Sequence, residues 1–350
     1  MSHNCTVNTK TQAVEADFVL SPRISRHLWA IILAGGNGER TRTLTNRWMG
    51  RHIPKQYCAF VGSRSMLQHT MDRADALVKP ERQRILIAKE HQHEARSQLA
   101  DYWNERVILQ PANRDTFPGI FLPLTHIYSQ DMNATVIIYP SDHFIYPKKR
   151  FTQAVAGAVR AVEALPDRLM LIGAPADSPV QDYGWICPGS EIWRVGQYSA
   201  YTVKRFLEKP LKVNAVDAMI RGDLWNTFII VVKASTLWQL GWNYFPETMY
   251  MFVRLFHAIG SSRENDVLET IYKIIPSQNF STGLLSHATA NIGVMPMNDV
   301  LWSDWGSEKR IVETLVQMGK QPNFPSPASI LSSRIAHGTT RDSSCLNRYA

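Results

Sequence analysis

A glycine-rich loop followed by two cations is the part of the sequence with the clearest chemistry. An apolar run at residues 29–33 leads into Gly35, Gly36 and Gly38, and Arg40 and Lys55 come soon after. Glycines let backbone N–H groups approach an anion closely, while Arg and Lys side chains neutralise its charge. The loop therefore predicts a phosphate site with enough positive charge for a triphosphate.

The loop does not follow either of two common phosphate motifs. A P-loop ends in Gly-Lys-Ser or Gly-Lys-Thr, and a dinucleotide fingerprint has G-x-G-x-x-G with an acidic residue about 20 positions later. Residues 35–38 satisfy neither pattern. Taken alone, such a turn could equally be a tight connection between a strand and a helix. The triplet at residues 54–56, Pro-Lys-Gln, favours the phosphate site.

Later segments also place charged or amide side chains beside glycine, proline or aromatic residues. They are residues 110–116, 140–143, 182–186, 206–210, 224–226 and 302–306. Together with the loop, these segments resemble in order the signature of the sugar-phosphate nucleotidyltransferases, and most closely that of the mannose-1-phosphate guanylyltransferases. Seven ordered matches are difficult to produce by chance.

The resemblance implies a role for each matching residue. Asp142 and Asp304 would hold Mg²⁺, Arg40 and Lys55 would bind the triphosphate, and Lys209 would bind the phosphate of the sugar. The remaining residues would contact the substrates, the nucleotide through Leu33, Ala34, Gly35, Gly36, Gly38 and Gln110, and the sugar through Gly184, Glu208 and Asn226.

The implied reaction is displacement at phosphorus. An oxygen of the sugar-1-phosphate attacks the α-phosphorus of a nucleoside triphosphate, and pyrophosphate leaves. This chemistry needs positioning and charge neutralisation rather than a nucleophilic side chain. The resemblance favours GTP and mannose-1-phosphate, which would give GDP-mannose. Thymidylyl, adenylyl or uridylyl transfer to glucose-1-phosphate remains an alternative.

Several positions depart from the family pattern. Glu39 stands where a small or hydroxyl residue is usual, and a carboxylate beside a triphosphate would oppose binding unless it points away. Thr41 and Thr43 replace the usual Leu and Pro, and Thr227 and Phe228 follow Asn226 in place of Ser-Gly. A paralogue that binds nucleotide without turnover is therefore a second hypothesis.

The elements that must position these residues are predicted from hydrophobic patterns. Short β-branched runs, typical of buried strands, alternate with helical patterns. The runs are residues 29–33, 84–88, 135–139 and 169–172. The pattern predicts the α/β class, with a mainly parallel, Rossmann-like sheet flanked by helices. The resemblance implies the nucleotidyltransferase, GT-A-like form of this architecture.

Arg40 follows the first predicted strand, and Asp142 follows the strand at residues 135–139. Ligands of open α/β sheets bind outside the carboxyl ends of the strands. Both residues are therefore expected in one cleft.

Composition sets the remaining expectations. The chain of 350 residues has 38 basic and 30 acidic side chains and a formal charge of +8. The basic residues form no block, so small-molecule partners, NTP and sugar-1-phosphate, are expected rather than nucleic acid. The four cysteines are far apart and predict neither a zinc site nor a disulfide framework.

The ends of the chain read differently from its middle. Residues 1–27 lack apolar periodicity, and residues 321–350 become rich in Pro, Ser, Thr and Arg, so both are predicted to be disordered tails around a domain at residues 28–320. No secretory signal or membrane-spanning run is recognised. A cytoplasmic protein without membrane contact is expected, and a homo-oligomer is possible.

Overall fold

The computed structural model describes residues 20–325, apart from the side chains of residues 101 and 104. Its centre is a nine-stranded sheet, and two further strands form a small sheet. In chain order the strands are β1 (Leu28–Ala34), β2 (Gln83–Ala88), β3 (Val107–Gln110), β4 (Thr135–Pro140), β5 (Phe144–Tyr146), β6 (Leu169–Pro175), β7 (Gly184–Val195), β8 (Tyr198–Glu208), β9 (Leu224–Lys233), β10 (Ile292–Pro296) and β11 (Leu301–Ser303).

Helices connect most of these strands. They are α1 (Pro22–Arg26), α2 (Arg42–Met49), α3 (Met66–Ala74), α4 (Gln92–Leu99), α5 (Trp103–Arg106), α6 (Thr116–Gln130), α7 (Lys148–Ala164), α8 (Lys212–Ile220), α9 (Ala234–Tyr244), α10 (Pro246–Ala258), α11 (Glu264–Ile274) and α12 (Glu308–Gln317). Short 3₁₀ turns include Glu39–Thr41 and Lys55–Tyr57, and Ser281–Leu285 forms a π-helical turn. Within residues 20–325, none of the helices has the length and apolar character needed to cross a membrane.

The large sheet has the order β3-β2-β1-β4-β9-β6-β10-β8-β7. Parallel pairing joins β3 to β2, β2 to β1, β1 to β4 and β6 to β10, whereas β8 and β9 run against their neighbours. Seven of the nine strands therefore point the same way. The predicted α/β class with a mainly parallel sheet is confirmed, and the antiparallel β9 at its centre is the part that the pattern did not predict.

Both faces of the sheet are covered, which explains why its strands read as continuous apolar runs. Ala30 and Ile32 of β1 pack in one core cluster with Phe151 and Val155 of α7. Ile31 packs in a second cluster that includes side chains of α6, α9 and α10. Successive residues of one strand thus bury their side chains on opposite faces.

A third apolar cluster joins the loop region to the last helix. Leu44 of α2, Phe60, Trp305 and Phe324 are its buried members that matter here. The rings of Phe60 and Trp305 meet edge to face with centroids 5.7 Å apart, and Phe60 lies 6.0 Å from Phe324. The cluster ties the chain after α12 to the segment beside the glycine-rich loop.

The predicted tail boundaries need correction where the structure describes them. Residues 1–27 were predicted to be disordered, but Leu20 is buried and α1 follows it, with Ser21 as its N-cap. At the other end Phe324 is buried, and Asn323 donates its side-chain amide to the carbonyl oxygens of Ala59 and Gly62. A single anchoring apolar residue has no periodicity, so the pattern could not find it. The rest of both predicted tails lies outside the described residues.

Candidate active site

The glycine-rich loop leaves the carboxyl end of β1 and is held by the neighbouring Pro-Lys-Gln segment. Gln56 donates its side-chain amide to the carbonyl oxygens of Ala34 at 2.9 Å and Gly36 at 2.8 Å. Gly38 has a φ of 65°, and a Cβ at this position would lie 2.8 Å from the backbone nitrogen of Lys55. Gly38 is therefore required by both backbone conformation and space.

The Gly38→Ala variant is expected to be less stable than the parent chain. The left-handed backbone alone costs about 1–2 kcal/mol for a residue with a Cβ, and displacement of the Lys55 backbone adds to the loss. The matched control is Gly36→Ala, because a Cβ on Gly36 would meet no atom within 4 Å. Chemical denaturation of both variants measures the difference, and equal losses of unfolding free energy would contradict this account of the loop.

Asp142 follows β4 and faces the cation of the Pro-Lys-Gln segment. The Ser141 amide and hydroxyl both donate to the Leu33 carbonyl oxygen, at 3.1 and 2.7 Å, which fixes the turn after β4 to the end of β1. Lys55 Nζ lies 2.9 Å from Asp142 Oδ2 and also donates to the backbone oxygen of Asp304. Lys55 is only 3% exposed. One buried cation therefore joins two segments that are distant in sequence.

The small β5–β11 sheet brings the second carboxylate to this point. Its strands are antiparallel, with Phe144 opposite Ser303 and Ile145 opposite Trp302. Asp142 precedes β5 and Asp304 directly follows β11, so one short ladder aligns the segments that carry the two carboxylates. The expectation that both residues lie in one cleft agrees with this geometry.

Asp304 is the most heavily bonded carboxylate of the site. Its Oδ2 lies 2.9 Å from Arg40 Nη2. Its Oδ1 accepts hydrogen bonds from the Tyr183 hydroxyl at 2.7 Å, the Gly306 amide at 2.9 Å and Arg310 Nη1 at 3.0 Å. The side chain is 7% exposed. These donors hold the carboxylate in one orientation at the wall of the cleft.

Both carboxylates are ionised at neutral pH. Burial alone would raise the pKa of each, but the neighbouring cations outweigh it. Lys55 is the largest opposing influence on Asp142, and its pKa lies below the ordinary value. Lys55, Arg40 and Arg310, with the Tyr183 hydrogen bond, hold the pKa of Asp304 well below its usual range. The site therefore carries two fixed negative charges surrounded by fixed positive ones.

The donor set fits a hard cation that takes further ligands from a substrate. Within the part of the chain that the structure describes, no three His, Cys, Asp or Glu side chains are arranged to hold a metal ion. Burial lowers the pKa of His143 to about 4, so this neighbour of Asp142 is neutral. Two carboxylates without a protein cage are the arrangement that Mg²⁺ uses when phosphate oxygens complete its coordination.

Two adjoining cavities open beside these carboxylates. The first, here the Lys209 cavity, is lined by the predicted residues Gly184, Glu208, Lys209 and Asn226 together with Arg40, Tyr183 and Asp304. The second, here the Gly36 cavity, is lined by Leu33, Gly35, Gly36, Gly38 and Asp142. Thr116, His143 and Phe228 line both cavities. The arrangement can bring two ligands together at the carboxylates.

The strand ends explain the composition of the Lys209 cavity. Gly184 begins β7 opposite Glu208 at the end of β8, and Asn226 lies near the start of β9. A Cβ on Gly184 would approach Glu208 Oε2 to 3.0 Å, so glycine gives this carboxylate room. Burial raises the pKa of Glu208, against the opposing charge of Lys209.

Two predicted nucleotide contacts do not line either cavity. Ala34 is 1% exposed, and its carbonyl oxygen accepts from Gln56 and Tyr57. Gln110 is 4% exposed and donates its side-chain amide to the Ala112 carbonyl oxygen at 2.8 Å. Gln110 Oε1 would lie 3.2 Å from a Cβ on Gly35, which places the amide under the loop. Direct nucleotide contact by these two residues stays a prediction.

Backbone strain is concentrated around the cavities. Among the described residues, five non-glycine residues have a positive φ: Asp115 (67°), Lys209 (45°), Phe228 (58°), Asp299 (58°) and Trp305 (44°). Lys209 and Phe228 line the cavities, while Asp115 and Trp305 each adjoin a lining residue. Residues held in sparsely populated backbone regions cost about 1–3 kcal/mol each and cluster at functional sites. The strain supports a functional interpretation of Lys209 that its exposed side chain does not give.

Two site residues were not assigned from the sequence. Tyr183 was interpreted as either cleft wall or core, yet its hydroxyl donates to Asp304. Arg310 of α12 bridges Asp304 and Asp182, with Nη2 2.9 Å from the Asp182 carboxylate. A cation in the first turn of a helix that follows Trp-Ser-Asp-Trp-Gly was the only available signal for Arg310, and it is weak because most surface cations are solvated.

Comparison with known proteins identifies the class to which this fold and site belong. The sequence model of the nucleotidyl transferase family matches residues 29–321. The chain therefore belongs to the nucleotidyl transferase family, and the family predicted from its motifs is confirmed.

Named relatives narrow the comparison. The chain is 27% identical over 286 residues to the mannose-1-phosphate guanylyltransferase ManC of Salmonella typhimurium and equally to that of Escherichia coli K12, covering 80% of this chain and 58% of each relative. It thus spans little more than half the length of these proteins. The crystal structure titled mannose-1-phosphate geranyltransferase, from Thermus thermophilus, aligns with a TM-score of 0.69 and 25% identity, over 82% of this chain and 79% of the other.

Proposed function

We propose that the chain transfers a nucleotidyl group from a nucleoside triphosphate to a sugar-1-phosphate with release of pyrophosphate, and that its substrates are GTP and mannose-1-phosphate. Family membership and the names of the similar ManC proteins support the class of reaction and the choice of substrates. Because the chain spans 58% of those proteins, the proposal rests on this chain's own site.

The observation that carries the proposal is the position of the two carboxylates between two cavities. Asp142 lines the Gly36 cavity and Asp304 lines the Lys209 cavity, while Lys55 contacts both residues. A transferase with two phosphorylated substrates needs two adjoining pockets and a charged centre at their boundary. The described residues supply that arrangement.

Asp142 and Asp304 would hold Mg²⁺, which when bound would supply positive charge to the reacting phosphate oxygens. The chain's cations act on the same charge from the protein side. Arg40 and Lys55 would neutralise the triphosphate and the departing pyrophosphate. Lys209 would hold the phosphate of the incoming sugar in line with the α-phosphorus.

The reaction needs no covalent intermediate with the protein. An oxygen of the sugar-1-phosphate forms the new bond to the α-phosphorus while the bond between this phosphorus and the bridging oxygen to the β-phosphate breaks. Positioning of the two substrates supplies much of the rate enhancement in such reactions. Tyr183 and Arg310 would contribute as positioning residues, since they fix the orientation of Asp304.

The substrates would be recognised by groups on the walls of the two cavities. Glu208 and Asn226 would hydrogen-bond sugar hydroxyls, and Gly184 leaves room for them. The backbone of Leu33, Ala34, Gly35, Gly36 and Gly38 would contact the nucleotide, with the Gln110 amide as a further reader of the base. An amide both donates and accepts, which suits discrimination between bases.

The test is pyrophosphate release in the presence of Mg²⁺ with GTP, ATP, dTTP and UTP, each paired with mannose-1-phosphate and glucose-1-phosphate. We expect release with GTP and mannose-1-phosphate. Release with another pair would keep the reaction and replace the substrates. Folded protein that binds nucleotide yet releases no pyrophosphate with any pair would support the binding-only hypothesis instead.

Replacing Glu39 with Thr is expected to leave the nucleotide KM within about twofold. Glu39 lies 2.6 Å from Arg42 in an exposed ion pair and lines neither the Gly36 nor the Lys209 cavity. Exposed pairs of this kind contribute little, about 0–1 kcal/mol. Steady-state kinetics with varied nucleotide gives the answer, and a several-fold lower KM in the variant would mean that the carboxylate opposes the triphosphate after all.

Assembly and cellular location stay predictions. A homo-oligomer is possible and a cytoplasmic location is expected, and both depend on the whole protein.

A further inference from the structure

A third cavity lies on the other side of Asp142 and His143 from the substrate cavities. It encloses about 880 Å³ of empty space, including its open mouth. Phe60, Phe144 and Trp305 give it an apolar wall, and the rings of Phe144 and Trp305 stack with centroids 4.6 Å apart. His143 lines this cavity as well as the two substrate cavities. We name it the Arg73 cavity.

Arg73 is a buried cation in the wall of this cavity. The residue is 5% exposed. Its Nη2 donates to the Thr70 hydroxyl and, at 3.2 Å, to the backbone oxygen of His143. Its Nε is buried and has no hydrogen-bond partner among residues 20–325. The nearest acid in sequence, Asp72, is paired with Arg64 at 2.6 Å.

A buried guanidinium without a carboxylate partner is costly, because charge is poorly stabilised away from water. Burial lowers the pKa of Arg73 only to about 10, so the side chain remains a cation at neutral pH. By contrast, buried Lys55 has the Asp142 carboxylate at 2.9 Å. Within the described part of the chain, nothing of that kind balances Arg73.

The other charges of the cavity have the same sign. Arg64, Lys148 and Lys320 also line it, and Asp72 is the acidic residue among the lining side chains. The excess of positive charge favours an anion over a cation or a neutral molecule. The aromatic wall favours an anion that carries an apolar ring or chain.

We propose that the Arg73 cavity binds a small organic anion, with a phosphate or carboxylate group against Arg73 and an apolar body against Phe60, Phe144 and Trp305. This ligand is additional to the proposed substrates. The cavity adjoins the proposed reaction centre through a short path, since Arg73 bonds the backbone of His143, the residue after Asp142. Occupancy is thereby placed next to the residue proposed to hold metal.

Calorimetric titration with phenyl phosphate tests the proposal. The probe carries both the anionic group and the ring. Loss of a charge-assisted hydrogen bond typically weakens binding by about 10- to 100-fold, so we expect this loss in Arg73→Met and a smaller one in Arg73→Lys. The matched control is Lys209→Met, which alters phosphate binding in the substrate cavities and should leave this titration unchanged.

Three further probes separate the contributions of the two parts of the ligand. Inorganic phosphate should bind more weakly than phenyl phosphate, phenol should not bind measurably, and benzoate should show whether a carboxylate is accepted. Binding of phenyl phosphate that is unchanged in Arg73→Met, or that is lost in Lys209→Met, would overturn the proposal.

A second variant keeps the test informative if Arg73→Met does not fold. Met318 lines the cavity and is partly exposed at the end of α12. Met318→Trp should fill part of the cavity and weaken phenyl phosphate binding by about tenfold, comparable to losing one well-packed contact, while keeping every bond of Arg73. Undiminished binding in this variant would also refute the site. Because the readout is binding, its failure is independent of the pyrophosphate-release test.

Discussion

Asp142→Asn is expected to reduce turnover by about 100-fold or more while the protein stays folded. Loss of one electrostatic contact to a transition state typically costs about 10²- to 10³-fold in kcat, and this substitution removes one of the two charges proposed to hold Mg²⁺. The fold should survive, because the asparagine oxygen can still accept a hydrogen bond from Lys55, now 2.9 Å from the carboxylate. Pyrophosphate release across a range of Mg²⁺ concentrations should show weaker metal dependence in the variant.

The control is Asp177→Asn. Asp177 also follows a strand of the sheet, β6, but it is exposed and bonds the Ser178 hydroxyl at 2.7 Å. It lines neither substrate cavity. Parent-like turnover in both variants would remove Asp142 from the mechanism. A collapse of the folded state in Asp142→Asn would instead give the residue a structural role.

Lys55→Met is expected to damage both catalysis and stability. The substitution keeps the length of the side chain but removes the cation that contacts Asp142 and the Asp304 backbone. We expect kcat to fall by about 100-fold and the free energy of unfolding to fall by about 1–3 kcal/mol, because a buried oxygen loses its hydrogen-bond donor. Turnover and chemical denaturation measured on the same preparation give both values.

Lys89→Met provides the comparison for a lysine outside the cleft. Lys89 is exposed and paired with Glu269 at 2.6 Å, and such surface pairs contribute little. The prediction for Lys55 fails if both lysine variants behave like the parent chain. It also fails in part if Lys55→Met loses stability but keeps its kcat, because Lys55 would then only support the fold.

Local patterns were sufficient to predict much of the sheet. The four predicted strands correspond to β1, β2, β4 and β6, each a buried apolar run. The helix with Phe151, Val155, Val159 and Val162 on one face is α7. The position of β9 was not predictable, because an antiparallel strand between two parallel ones is fixed by long-range pairing and leaves no local signal.

The site was predicted residue by residue, but its geometry was not. Motifs placed Arg40, Lys55, Asp142 and Asp304 on a common function, and the structure brings their side chains into one network. The register of β5 and β11, which sets that network, involves strands of three residues each. Strands this short have no recognisable period. Arg310 went unassigned for the related reason that its role depends on tertiary contacts alone.

The small β5–β11 ladder has a consequence for the order in which the protein matures during translation. All nine strands of the large sheet precede residue 297, whereas β11 begins at Leu301 and Asp304 follows it. Domains generally begin to fold from the amino-terminal side as the ribosome releases them. A nascent chain that ends at residue 300 therefore already contains the glycine-rich loop, Lys55 and Asp142, but lacks the second carboxylate. We expect the reaction centre to be among the last features of the molecule to form.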